Sequence, residues 1–80
     1  MFLKNNITYD EFLNEFLNKK RDFSFKLLNI HIDFYYRNGN CYLQINDDNF
    51  NKLYKLDPPE RVNEIKINSK KLKDIWRFLS

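Results

Sequence analysis

The dipeptide Asn38-Gly39 constrains this chain more than any other feature. A two-residue hairpin turn of type I′ needs positive φ at both central positions, and Asn-Gly adopts that geometry at least cost. Taken literally, the turn fixes a register. Arg37 faces Asn40, Tyr36 faces Cys41, Tyr35 faces Tyr42, Phe34 faces Leu43, Asp33 faces Gln44, Ile32 faces Ile45 and His31 faces Asn46. One face then carries Ile32, Phe34, Tyr36, Cys41, Leu43 and Ile45. The other carries His31, Asp33, Tyr35, Tyr42, Gln44 and Asn46. A slip of one residue would mix these sets, so their separation into an apolar and a polar face supports the turn.

Upstream, Thr8-Tyr9-Asp10-Glu11 fits a capping box, with Thr8 as N-cap and Glu11 reaching back to it. Ile7 and Phe12 stand at the positions of a hydrophobic staple. Tyr9, Phe12, Leu13, Phe16 and Leu17 fall on one helical stripe. Lys19, Lys20 and Arg21 follow where cations suit the helix dipole. The pattern predicts a helix over roughly 9–20. Phe23, Phe25 and Leu27 alternate with polar residues, and Leu28, Ile30, Ile32, Phe34 and Tyr36 continue the alternation one residue out of phase. On a continuous strand, that shift predicts a bulge or bend near Leu27-Leu28.

Downstream the signals are weaker. Phe50, Leu53 and Tyr54 have the spacing of a short helix capped from Asp47-Asp48-Asn49, while Lys52–Leu56 reads equally as an edge strand. After Asp57-Pro58-Pro59, Val62, Ile65 and Ile67 predict a third strand. Asn68 or Ser69 then caps a last helix with Leu72, Ile75, Trp76 and Leu79 on one stripe. The expected fold is α+β: a small antiparallel sheet of about three strands around the Asn-Gly hairpin, with an N-terminal and a C-terminal helix packed on one face. Eighty residues read as one compact domain, 1–80. The 18% aromatic content argues against disorder, since large rings supply a core at short length.

Several function classes are set aside on these residues. One cysteine, Cys41, excludes an intrachain disulfide and a multi-cysteine zinc site. One histidine excludes paired-His metal spacing. Asp47-Asp48-Asn49-Phe50-Asn51 begins like a calcium loop, but Lys52 replaces the turn glycine and Pro58 the closing glutamate. The single glycine is used by the turn, so no phosphate loop exists. Neither a metal nor a cofactor is expected. His31 and Asp33 lie near enough for acid–base work. No nucleophile joins them, because Cys41 points to the opposite face, where it reads as a small core hydrophobe. The chain is not expected to be an enzyme. No apolar run approaches the roughly 18 residues of a membrane span. Met1–Asn6 lacks the layout of a signal peptide, so a cytoplasmic location is expected.

Charge and aromatics leave two candidate surfaces. Residues 61–80 hold Arg61, Lys66, Lys70, Lys71, Lys73 and Arg77 against Glu64 and Asp74, a surplus of +4, while the first sixty residues balance to −1. Lys70 and Lys71, at the start of the expected last helix, would meet phosphates there. The plainer reading is a solvated, solubilising face. The outward face of the hairpin offers His31, Asp33, Tyr35, Arg37, Tyr42 and Gln44 for a partner. Exposed tyrosines anchor protein surfaces or stack bases, although a cross-strand Tyr35–Tyr42 pair also simply stabilises a hairpin.

The helix–sheet–helix order, with Ser69-Lys70-Lys71 opening the last helix, resembles double-stranded-RNA-binding domains. That resemblance implies phosphate contact by Lys70 and Lys71. About twenty residues separate the hairpin from the basic segment here, where that family passes almost directly. The small residues of that family's last helix are also missing.

Phe, Tyr, Met, Ile, Asn and Lys make up 43 of 80 residues and alanine is absent, which indicates AT-rich coding DNA. With small size and no catalytic motif, the leading expectation is a protein-binding inhibitor or adaptor from a phage or mobile element. It would act on a host protein or ribonucleoprotein complex, as an anti-CRISPR-like anti-defence protein does. An RNA- or DNA-binding module and a subunit of an obligate oligomer are the alternatives.

Overall fold

The computed structural model of the protein describes residues 7–80 together with the strand Phe2–Leu3. The expectation about a leader rests on Met1–Asn6 and lies outside the described side chains. Five strands form the main sheet in spatial order: β1 (Phe2–Leu3), β2 (Phe23–Leu27), β3 (Ile30–Arg37), β4 (Asn40–Asn46) and β5 (Asn51–Lys55). The first pair is parallel and the rest are antiparallel. A separate two-stranded ribbon pairs β6 (Lys66–Ile67) with β7 (Lys70–Lys71). Helix α1 (Tyr9–Leu13) runs into a π-helical segment, Asn14–Asn18. A 3-10 helix spans Pro59–Glu64, and α2 (Leu72–Ile75) continues as a 3-10 turn over Trp76–Phe78. The α+β class therefore holds, with more strands and shorter helices than the sequence predicts.

The hairpin forms in the register that Asn38-Gly39 dictates, from His31↔Asn46 to Arg37↔Asn40. Both turn residues have positive φ, 54° and 80°. The capping box forms as well: Thr8 Oγ1 accepts from the Glu11 amide at 3.1 Å, and Glu11 Oε1 accepts from the Thr8 amide at 2.9 Å. The helix ends at Asn18 rather than 20, with its last turn widened. Lys19 then bonds back to Glu15 at 3.0 Å.

Three expectations are corrected. The phase shift at Leu27-Leu28 marks a second tight hairpin rather than a bulge, because Leu27 pairs with Ile30 across Leu28-Asn29. Leu28 sits at φ 53° and is 83% exposed, outside the core set. Of the two readings left open for residues 49–56, the edge strand is the one that forms, since β4 offers Asn51–Lys55 an unpaired partner row. The expected third strand at Val62–Ile67 is divided: Val62 lies in the 3-10 helix, and Ile67 in the ribbon. Asn68 and Ser69 cap no helix. Both adopt positive φ, 53° and 67°, and turn the ribbon, so the helix begins only at Leu72.

One face of the sheet carries the core. Phe23 and Phe25 from β2, Ile32 and Phe34 from β3, and Cys41, Leu43 and Ile45 from β4 are all buried, as the alternation requires. Phe12 and Phe16 from the first helical segment cover them, with Leu72, Ile75, Trp76 and Leu79 from the other end. Phe12 is central: its ring lies 4.9 Å from Phe23, 5.0 Å from Trp76 and 5.4 Å from Phe16. The Trp76 indole N–H donates to the Ile7 carbonyl at 3.1 Å. Lys26 and Ser80 exchange two backbone hydrogen bonds, at 2.8 and 3.0 Å. The far side of β2 is thus occupied by β1 and by Ser80, whereas β5 remains an open edge.

Candidate functional site

Because side chains alternate, every core residue on β2–β4 leaves a neighbour on the opposite, outer face. Cross-strand rows order that face: Lys26, His31, Asn46 and Asn51; then Ser24, Asp33, Gln44 and Leu53; then Tyr35, Tyr42 and Lys55. None of these residues is buried. The six expected partner-binding residues, His31, Asp33, Tyr35, Arg37, Tyr42 and Gln44, all lie here.

They do not form one cluster. Asp33, Tyr35, Arg37 and Gln44 line a depression of about 470 Å³, together with Asp22. It exists because β3 outruns β2. The ladder between β2 and β3 ends at Phe23 and Phe34, and beyond it the Asp22 carboxylate accepts from the Tyr36 amide at 3.1 Å. Tyr35 and Tyr42 pack ring to ring at 5.5 Å and are half-buried rather than fully exposed. The Arg37 guanidinium lies 5.5 Å above the Tyr35 ring, a cation–π distance. His31 stands two residues away at the opposite end of the face, across from Lys26. Asp33 engages Ser24 Oγ at 2.5 Å, so its carboxylate is committed to a hydroxyl.

The basic set is dispersed. Lys66 and Lys71 face each other across the ribbon, and Lys70 faces Ile67. Arg61 lies 3.9 Å from Glu64, and Arg77 lies over Phe78 at 4.8 Å. Lys73 projects from α2. Lys71 stands at the N-cap of α2 and Lys70 just before it, while both also pair in the ribbon, and α2 is only four residues long. Among the described residues, no carboxylate lies within ion-pair distance of Lys66, Lys70, Lys71 or Lys73.

Sequence reasoning missed the contribution of β5. Leu53 and Lys55 extend the outer face, and Leu53 is 59% exposed. On the core side Phe50, Lys52 and Tyr54 join Lys66 around a smaller cavity of about 160 Å³. The signal was Asp47, whose carboxylate accepts from the Asn49 and Phe50 amides at 2.6 and 2.8 Å. That Asx-type turn reverses the chain into β5 instead of capping a helix.

Among the described residues, Cys41 and Tyr36 hold their protons more tightly than usual. Burial pushes the Cys41 thiol up to about 11, and its neighbour Tyr36 is raised too, first by burial and then by the adjacent Cys41. Tyr36 donates its hydroxyl to the Phe16 carbonyl at 2.7 Å. Among the described residues, no group of His, Cys, Asp and Glu side chains is arranged to hold a metal ion. No described helix is long and apolar enough to cross a membrane. The chain matches no protein-family model, and neither curated proteins nor solved structures yield a match.

Proposed function

We propose that the protein is a small, non-enzymatic protein-binding inhibitor or adaptor that docks through the outer face of its sheet. The observation that carries this reading is the Tyr35–Tyr42 pair, topped by Arg37 and standing on the face opposite the core. Tyr and Arg dominate binding energy at protein interfaces, because each offers a large rigid contact area with a polar end. Leu53 continues the apolar centre, and Gln44, His31 and Asp33 supply a polar rim. Lys26, Arg37 and Lys55 stand against Asp22 and Asp33 on this face, a surplus of one positive charge that favours a mildly acidic partner surface. A host protein or ribonucleoprotein complex as target, and an anti-CRISPR-like role for a mobile element, complete the proposal. They rest on small size and AT-biased composition.

The test is affinity capture from host lysate, with and without nuclease, comparing the native chain with Tyr35→Ala/Tyr42→Ala. A partner retained by the native chain after nuclease, and lost by a double variant that still folds, is the expected result. Equal capture by both proteins overturns the reading. Capture abolished by nuclease supports the second one, a nucleic-acid-binding surface. That reading is favoured by the juxtaposed, carboxylate-free Lys66 and Lys71, and would show a steep loss of affinity with salt.

A further inference from the structure

The edge of β5 carries an inference independent of the outer face. Hydrogen-bonded pairs alternate along an antiparallel ladder. The Leu56 amide donates to the Cys41 carbonyl at 2.8 Å, and the Asp47 amide to the Phe50 carbonyl at 3.0 Å. In this register, the residues of β5 that bond to β4 are therefore Lys52 and Tyr54. Asn51, Leu53 and Lys55 turn their N–H and C=O groups away from the sheet. Among the described residues nothing pairs with them. All five residues of the strand are exposed.

The side chains around this edge share one sign. On the core side, Tyr54 separates two hollows. One, of about 160 Å³, is bordered by Lys52, Lys66 and Phe50. The other, of about 230 Å³, is bordered by Lys55, Arg61 and Glu64. On the core side Lys52, Lys66 and Arg61 thus stand against one carboxylate, Glu64, which already lies beside Arg61, and Lys55 adds a further cation from the outer side of the strand.

We propose that the free edge of β5 receives an acidic, extended peptide as an additional strand. Only a polypeptide backbone matches the alternating donors and acceptors of Asn51, Leu53 and Lys55, which favours a peptide over a nucleic acid in this groove. Backbone bonds would hold the strand, and the hollows on either side of Tyr54 would accept alternate side chains. Its carboxylates would meet Lys52, Lys66 and Arg61. A second copy of the chain fits poorly, because it would bring further lysines to a groove already positive. Lysines on an edge strand deter self-pairing for this reason.

The test uses a fluorescein-labelled peptide alternating valine with glutamate, its lysine-for-glutamate counterpart, and an oligothymidylate. The acidic peptide should bind saturably and slow amide exchange at Asn51, Leu53 and Lys55 by about tenfold or more. Leu53→Pro removes an outward N–H and no bond to β4, a substitution that edge strands tolerate. It should abolish binding while the fold persists. Lys52→Glu/Lys66→Glu should weaken binding by roughly tenfold, and it decides the matter if the proline variant does not fold. Tyr35→Ala/Tyr42→Ala should leave this binding intact, which separates it from the outer-face proposal. The proposal is overturned if the acidic peptide does not bind, if the basic peptide binds equally well, or if oligothymidylate displaces the peptide. Concentration-dependent dimerisation through β5 would overturn it as well.

Discussion

At Cys41, burial sets the chemistry of a single side chain. The residue is 2% exposed and faces Tyr36 across the hairpin. A thiolate there would lose its hydration, and the Tyr36 hydroxyl and the Lys20 ammonium offset only part of that loss, so the neutral thiol persists up to about 11. Tyr9 behaves alike: burial, followed by the nearby Asp10 carboxylate, raises its hydroxyl to about 12. Both groups hold their protons more tightly in the folded chain than in the unfolded one. Their contribution to stability is fully present below the ordinary values of 9.0 and 10.0 and is lost as pH rises through the folded values. Urea-unfolding midpoints should therefore fall between pH 9 and 11 and continue to fall toward 12. Cys41→Ala should flatten the first part of that decline, and an unchanged profile in that variant would show that the thiol is not its source. The same physics makes Cys41 a poor nucleophile, as the opposed placement of Cys41 and His31 had already indicated from alternation alone.

At the scale of elements, the two central turns contrast. Asn38-Gly39 uses residues suited to positive φ, and its hairpin was legible down to each cross-strand pair. Leu28-Asn29 places a leucine at φ 53°, a conformation that costs an L-residue about 1–2 kcal/mol. Leu28 is largely exposed and contributes little packing in return. Leu28→Gly should raise stability by about 0.5–1 kcal/mol once the extra freedom of glycine in the unfolded chain is deducted. A rise of a few degrees in thermal midpoint would register the gain, whereas a fall would mean that Leu28 makes contacts of its own. This unfavourable turn residue also explains why the second hairpin looked like a bulge. The phase shift was visible, but its chemistry did not announce a reversal. After residue 58 only the buried stripe of the last helix, Leu72, Ile75, Trp76 and Leu79, was legible. The rest was illegible for another reason. A six-residue 3-10 helix, a ribbon of two-residue strands and a four-residue helix are each shorter than the window over which periodicity can be read. Tertiary contacts through Val62, Ile67 and Leu72 hold them in place. The outer-face residues were identifiable because they follow from the register. The edge groove was not, because it brings Lys52 and Lys66 together from segments with no pattern linking them.

At the scale of the whole molecule, Trp76 joins the two ends of the described chain. It packs edge-on to Tyr9 at 5.4 Å and to Phe25 at 5.0 Å, and its indole N–H reaches the Ile7 carbonyl. Trp76→Ala should cost about 3–5 kcal/mol, a large share of what a domain of this size possesses. Trp76→Phe keeps most of the ring packing and leaves the Ile7 carbonyl without its donor, so it should cost about 1–3 kcal/mol. Denaturant unfolding followed by circular dichroism measures both, and equal costs would show that the hydrogen bond, rather than the packing, dominates. The connections have a kinetic consequence. Neighbouring strands from β2 to β5 are joined by residues 28–29, 38–39 and 47–50 alone, while Ile7 and Trp76 meet only after most of the chain has been enclosed. Closing a short loop forfeits less chain entropy than closing a long one. The strand meander should therefore set how fast the protein folds, and loosening the clasp, as in Trp76→Phe, should mainly speed unfolding, which stopped-flow unfolding rates would show.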